Sequence, residues 1–209
     1  LGDFDSGEKT HLMILVGALH GNELAGYKAI NNVFEELRKN GTKINGRVVG
    51  IAGNLQAMDA KKRFIDHDLN RAWKPEIIDR VLDTPEEELT NEDLELKVLH
   101  GIIDDLATQD YEHKYLIDLH TTSADNGIFL VHPGYPGQDS VAKALRLPTV
   151  VNLDQYIPGT LLKFMRQYGF TSFAFEAGQI GSPKAIDIHT FGIWELLYNS
   201  GIINESHDL

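Results

Sequence analysis

Leu12-Met13-Ile14-Leu15-Val16-Gly17-Ala18-Leu19-His20-Gly21-Asn22-Glu23 is the stretch whose reading decides the fold. Its short continuous apolar run has the pattern of a strand covered on both faces, as in a parallel sheet. A helical pattern begins near Leu24. A strand that ends in His, turns on Gly and enters a helix with Glu puts an imidazole and a carboxylate at the carboxyl end of a sheet. Open α/β folds keep their ligands there.

Working outward, apolar residues recur at Leu24, Tyr27, Ile30, Val33, Phe34 and Leu37, so residues 22–40 present one helical face, closed by Asn40-Gly41. Residues 46–53, β-branched and bounded by Gly, read as the next strand. Strand, helix and strand make a βαβ unit, which implies parallel pairing with a right-handed crossover. Residues 54–85 are polar and charged without a clean period and read as a long loop, a feature that in compact domains is usually functional or disordered. Helical spacing returns over 90–110. Strands are expected at 114–120, 127–132, 150–153 and 171–176, with an emphatic turn at Pro133-Gly134-Tyr135-Pro136-Gly137. A short helix is expected at 159–168. Ala177-Gly178 breaks the strand that ends in Glu176, and Ser182-Pro183 opens a closing helix through about 203. Residues 1–10 read as a loop. The alternation predicts one α/β domain over residues 1–209, three layers with helices on both faces of a mostly parallel or mixed sheet.

Composition narrows the function classes. The chain has 209 residues, 42% of them hydrophobic, enough for a substantial core. Thirty-one acidic residues against nineteen basic ones give a net charge of −12, which argues against nucleic acid and anionic membranes as partners. The acidic run from Thr84 to Asp93 reads as a solvated loop and helix start and receives no function. There is no cysteine, so any metal must take His, Asp or Glu ligands. No apolar run approaches the ~20 residues of a membrane span, and the expectation is a soluble, cytoplasmic protein, compatible with a homo-oligomer. The absence of an initiator Met suggests a trimmed or partial chain.

Three predicted strands end in chemistry: His20 with Glu23, His120, and Glu176. Parallel neighbours can bring such ends to one rim although they lie a hundred positions apart. Two imidazoles and a carboxylate with a fourth position open to water form a catalytic zinc set, leaving Glu176 free to act as a base. Asp118, two residues before His120 and on the same strand face, reads either as a partner orienting a ligand imidazole or as a buried structural acid. Arg63 and Arg71 could simply pair with Asp66 and Asp68 on the surface. The other histidines (11, 67, 100, 113, 132, 189 and 207) fit no ligand spacing and read as structural or exposed.

Four segments in order, Ala18-Leu19-His20-Gly21-Asn22-Glu23, Arg63-Phe64-Ile65-Asp66-His67-Asp68-Leu69-Asn70-Arg71, Asp118-Leu119-His120-Thr121-Thr122-Ser123 and Phe175-Glu176-Ala177-Gly178, resemble the succinylglutamate desuccinylase/aspartoacylase family, a relative of the zinc carboxypeptidases. The resemblance implies a zinc carboxypeptidase-like fold and one Zn2+ per chain, held by His20, Glu23 and His120. It implies Glu176 as general base, Arg63 as the group polarising the scissile carbonyl, and Asn70 with Arg71 gripping a substrate carboxylate. Arg166, ten residues before Glu176, falls where aspartoacylase has an Arg for a second substrate carboxylate. Family members usually continue past the last helix into a smaller β domain that supplies a Tyr to the substrate. This chain stops at Leu209, and no residue here can be matched to that Tyr.

The expectation is therefore a zinc-dependent hydrolase of carbon–nitrogen bonds that deacylates a small N-acyl amino acid. Two alternatives stay open: a zinc carboxypeptidase acting on short peptides, and a non-catalytic zinc-binding protein.

Overall fold

The apolar run after Thr10 is a strand, and each of its residues from His11 to Gly17 is buried. The computed structural model describes residues 1–125, 127–134 and 139–204, apart from the side chain of residue 154. In chain order its elements are β1 (Gly2–Asp5), β2 (His11–Gly17), α1 (Leu24–Asn40), β3 (Arg47–Ala52), α2 (Leu55–Asp59), α3 (Pro75–Asp83), α4 (Asn91–Ala107), β4 (His113–Thr122), β5 (Ile128–His132), α5 (Ser140–Ala144), β6 (Thr149–Val151), α6 (Leu161–Arg166), β7 (Thr171–Gln179) and α7 (Pro183–Asn199). Single 3-10 turns occupy Leu69–Arg71, Glu86–Glu88 and Leu153–Gln155.

The strands form one sheet in the order β1-β3-β2-β4-β7-β5-β6. β2 lies between β3 and β4, parallel to both, and β4 pairs in parallel with β7. β1 and β5 run antiparallel to β3 and β7, so the sheet is mixed. Alternate residues of β2 serve opposite layers. Leu12, Ile14 and Val16 pack with Val81 of α3, Leu96 and Leu99 of α4 and Leu161 of α6. Met13 and Leu15 pack with Ile30 and Phe34 of α1 and Ile193 and Leu197 of α7. This is the expected three-layer α/β arrangement. Each fully buried side chain of this size is worth about 1.5–3 kcal/mol, so β2 anchors both halves of the core.

The helix after β2 forms for the reason its spacing gave, and it ends at Gly41, whose φ of 60° lets its N–H reach back to Arg38 and Leu37 carbonyls. It lies unusually close to the sheet. A Cβ at Gly26 would stand 2.4 Å from Leu119 Cβ, so only glycine lets α1 settle against β4.

Several elements depart from the sequence expectation. Residues 2–5 are an edge strand rather than loop, with Phe4 packing edge-on against Phe34. The segment 54–85 holds two helices and a 3-10 turn; α3 carries an apolar face at Ile77, Ile78 and Val81 that the expectation passed over, and the other two are too short for a period to emerge. The acidic run at 84–93 is not all solvated: Glu92 and Asp93 are buried at the start of α4. β7 does not stop at Glu176 but continues to Gln179, past a register shift against β4 between His120 and Thr122. Within the turn expected at 133–137, residues 135–137 lie outside the described residues. Among the described residues, no helix is long and apolar enough to cross a membrane.

Candidate metal centre and cleft

The connection from β2 to α1 is held in a specific shape. Ala18 adopts φ 59°, a left-handed conformation that side chains other than Gly rarely take and that the surroundings must over-determine. Here the Gly53 and Asn54 amides at the end of β3 donate to the Gly17 and Ala18 carbonyls at 2.8 and 2.9 Å. Gly21 is required by close approach, because a Cβ there would meet the Ala57 carbonyl carbon at 2.3 Å. The Glu23 amide then closes onto the His20 carbonyl at 3.0 Å, turning the carboxylate back toward the imidazole.

His20, Glu23 and His120 come together as the strand-end argument expects. All three are buried, and one donor atom from each lies within 4.8 Å of the others. Glu23 sits between the rings, with Oε1 2.9 Å from His20 Nδ1 and Oε2 3.1 Å from His120 Nδ1. The far nitrogens also have carboxylate partners: Asp118 Oδ2 stands 2.7 Å from His120 Nε2, and Asp68 Oδ1 stands 3.3 Å from His20 Nε2. A carboxylate behind each imidazole is the usual support for metal-ligating histidines, since it keeps the proton on the far nitrogen and leaves the near one as a lone-pair donor. With no cysteine in the chain, this nitrogen and oxygen set fits zinc.

At His20 the tautomer has two competing determinants. Arg63 also approaches Nε2, at 2.7 Å, and can donate only if that nitrogen is bare. The Asp68 contact needs Nε2–H. A metal held through Nδ1 would favour the Asp68 contact.

The electrostatics follow from burial and neighbours. Burial alone would raise the Glu23 carboxyl, but with protons on the two Nδ1 atoms, hydrogen bonds from His120 and His20 outweigh it and hold the group far below the usual carboxylate range; a cation held at those Nδ1 atoms would replace the protons in that role. Asp68 is depressed in the same sense, with His20, Arg71 and Arg63 overcoming its burial. For His120, burial opposes protonation, yet Asp118 and Glu23 together raise it well above its ordinary value. Glu176 behaves differently. Burial pushes it up, the Glu23 and Asp118 carboxylates add to that push, and the nearby imidazoles oppose it. Its Oε2 is buried without a hydrogen-bond partner.

These groups line one cleft of about 160 Å3, whose walls include Arg63, Asn70, Arg71 and Glu176 and, on the apolar side, Val131, Leu153, Ile157, Leu162 and Ala174. Arg63 is spread over Glu23 and Asp68, each at 3.2 Å. Both ends of the Asn70 amide are engaged, Nδ2 donating to Asp118 at 3.3 Å and Oδ1 accepting from the Leu161 amide at 3.0 Å. Arg71 donates to the Asn70 carbonyl at 2.6 Å. Arg166 is not brought to this cleft. It lines a separate cavity of about 390 Å3 with His132, Asp139 and Phe170, because the C-terminal end of α6 carries it away from the metal-side rim.

Sequence reasoning missed Asp68 as a support for His20, although it stood inside a quoted segment. It also left Asp118 between two readings; its 2.7 Å approach to His120 Nε2 supports the orienting one, and its full burial fits both. His189, read as structural, is fully buried and donates Nε2–H to the His120 carbonyl at 3.0 Å, with burial pulling its pKa down to about 3.

Comparison with known proteins identifies the family and the fold. Residues 9–192 match the model of the succinylglutamate desuccinylase/aspartoacylase catalytic domain. The chain is 24% identical over 189 residues to a succinylglutamate desuccinylase of Pseudoalteromonas atlantica, covering 86% of this chain and 53% of that protein. It is 29% identical over 197 residues to a probable aspartoacylase of Prochlorococcus marinus, covering 93% and 57%. It thus spans a little over half the length of these curated relatives. The crystal structure of a succinylglutamate desuccinylase from Chromobacterium violaceum superposes with a TM-score of 0.72 at 18% identity, covering 97% of this chain and 64% of that one, a likeness of fold. With the family model matching most of its length, the chain belongs to the succinylglutamate desuccinylase/aspartoacylase catalytic-domain family.

Proposed function

We propose that the chain is the catalytic part of a zinc-dependent deacylase that hydrolyses the amide bond of a small N-acyl amino acid. The observation that carries this reading is one cleft holding the His20, Glu23 and His120 donors together with the unpartnered, upward-shifted carboxyl of Glu176. Zinc bound by those three residues would supply Lewis acidity, polarising a carbonyl and lowering the pKa of a coordinated water to ~7.

The remaining work falls to side chains of the chain itself. Glu176 accepts a proton from the attacking water and returns it to the departing amine, a role favoured by a pKa raised above the ordinary carboxylate value. The Arg63 guanidinium faces the oxygen on which charge develops, and such a preorganised donor is worth on the order of 2.7–4 kcal/mol. The planar fork of Arg71 receives the substrate carboxylate through both oxygens. Asp118 and Asp68 hold the two imidazoles in orientation. Asn70 shapes the floor through Asp118 and the Leu161 amide and leaves the carboxylate chiefly to Arg71.

The cleft is smaller than the ~300–1,000 Å3 of pockets that hold drug-sized ligands, which favours a small substrate over a long peptide. The test is metal analysis of the purified protein followed by hydrolysis assays on N-acetyl and N-succinyl amino acids beside dipeptides. Release of free amino acid from the acylated set, abolished by chelation and restored by zinc, is the expected result. Cleavage of dipeptides alone would replace this reading with a carboxypeptidase.

A further inference from the structure

We propose that Glu92 is a positioning residue for this deacylase reaction, fixing the loop that carries the Arg63 guanidinium to the cleft; the proposal rests on the deacylase reading. Glu92 stands in the acidic run to which the sequence lent no function, yet it is fully buried at the start of α4. Its Oε1 accepts from the Ile65 amide at 2.7 Å and from Asn54 Nδ2 at 3.0 Å. Its Oε2 accepts from the Asp66 and His67 amides at 2.8 and 3.2 Å. Three successive amides curl around one carboxylate, as they would around a bound anion.

A buried carboxylate is tolerated only while its donors stay in place. All four donors here come from residues 65–67 and from Asn54, the residue that caps α2. The loop therefore cannot relax without stranding a charge. Arg63 lies two residues before this clamp, and its own carbonyl is tied to the Gly21 amide at 3.0 Å. Asp68, one residue after the clamp, meets both Arg63 and His20. On the outer side of the loop, Asp66 accepts from the backbone and side chain of Asn91 at 2.9 and 2.7 Å. Arg63 is thus aimed by a backbone held on both flanks, and Glu92 makes more of those bonds than any other side chain.

The experiment uses the whole chain with zinc bound. In Glu92→Gln one acceptor oxygen becomes a donor facing backbone N–H groups. A misplacement of about 1 Å can cost ~10²-fold in rate, so kcat on N-acyl amino acids should fall ~10- to 100-fold. Zinc content should stay at the wild-type value, and hydrogen exchange at the 65–67 amides should accelerate. In an Arg63→Ala background the same substitution should cost no further activity, because the two act as a unit. Glu95→Ala, which removes from the same helix the acceptor of a 3.1 Å bond from the Gln56 amide, should change kcat less than about twofold. If Glu92→Gln does not fold, Asp66→Ala loosens the same loop from its exposed side and should lower kcat several-fold with faster exchange at the same amides.

Wild-type kcat in folded Glu92→Gln, or in Asp66→Ala should the former not fold, overturns the positioning role. Losses that add in the Arg63→Ala background overturn it as well. A wild-type chain that cleaves no N-acyl amino acid overturns the deacylase reading itself, and the catalytic role of Glu92 falls with it.

Discussion

His120 on β4 and Glu176 on β7 occupy one register position of two parallel, paired strands. Side chains at matching positions of such strands share a face, so the pairing sets a metal-donor imidazole beside a buried carboxyl whose Oε2 has no partner. Substitution Glu176→Gln keeps the volume and removes the proton acceptor. Bound zinc should remain at the wild-type level while kcat falls by ~10²–10⁴. Metal analysis with steady-state assays checks this, and near-normal turnover excludes Glu176 as the base.

Asp118 supports His120 from behind at 2.7 Å and is itself fully buried. Removing such a carboxylate partner typically weakens metal binding ~10–100-fold. Asp118→Ala should therefore lose zinc to a competing chelator at a correspondingly lower chelator concentration. Unchanged competition would return Asp118 to a purely structural role.

Arg71 contributes its fork to the cleft from the 3-10 turn at Leu69–Arg71 and spends one nitrogen on the Asn70 carbonyl. Binding that is equal in ground and transition states appears in KM rather than kcat. Arg71→Ala should raise KM for carboxylate-bearing substrates at least tenfold with a smaller effect on kcat, whereas Arg166→Ala should change KM little. The opposite ranking would exchange the roles of the two arginines.

What the sequence carried and what it did not divide along a physical line. The His20 turn, the strands ending near His120 and Glu176, and the α1 face were legible because burial on two faces, helical spacing and Gly41 each leave a local pattern. The helix at Leu55–Asp59 was not, since five residues hold too few turns for a period, and the apolar face of α3 at Ile77, Ile78 and Val81 was masked by the charged residues around it. Glu92 was invisible for a different reason. An acidic residue among acidic neighbours reads as solvated, and only the tertiary fold brings the amides of 65–67 onto its carboxylate. Asp68 was passed over because its partner, His20, lies forty-eight residues away.

Asp93, next to Glu92, makes stability depend on acid. Arg80 grips both of its oxygens, at 2.6 and 3.2 Å, and the Thr90 amide donates to it within the capping box of α4. Burial would raise this carboxyl, but the Arg80 and Thr90 bonds outweigh it and hold it below its ordinary 3.8. A carboxyl depressed by folding contributes its full stabilisation above the unfolded value and loses it as pH falls through the folded value. Because the Arg80 side chain is half-exposed, solvent screens the pair. Asp93→Asn should then cost about 1–2 kcal/mol at pH 7, toward the lower end for hydrogen bonds to charged groups. Urea unfolding of both proteins at pH 7, 5 and 3 measures it: the gap should hold from pH 7 to 5 and narrow below about pH 4. A gap that stays constant to pH 3 would mean that the charge of Asp93 is not what stabilises this corner of the fold.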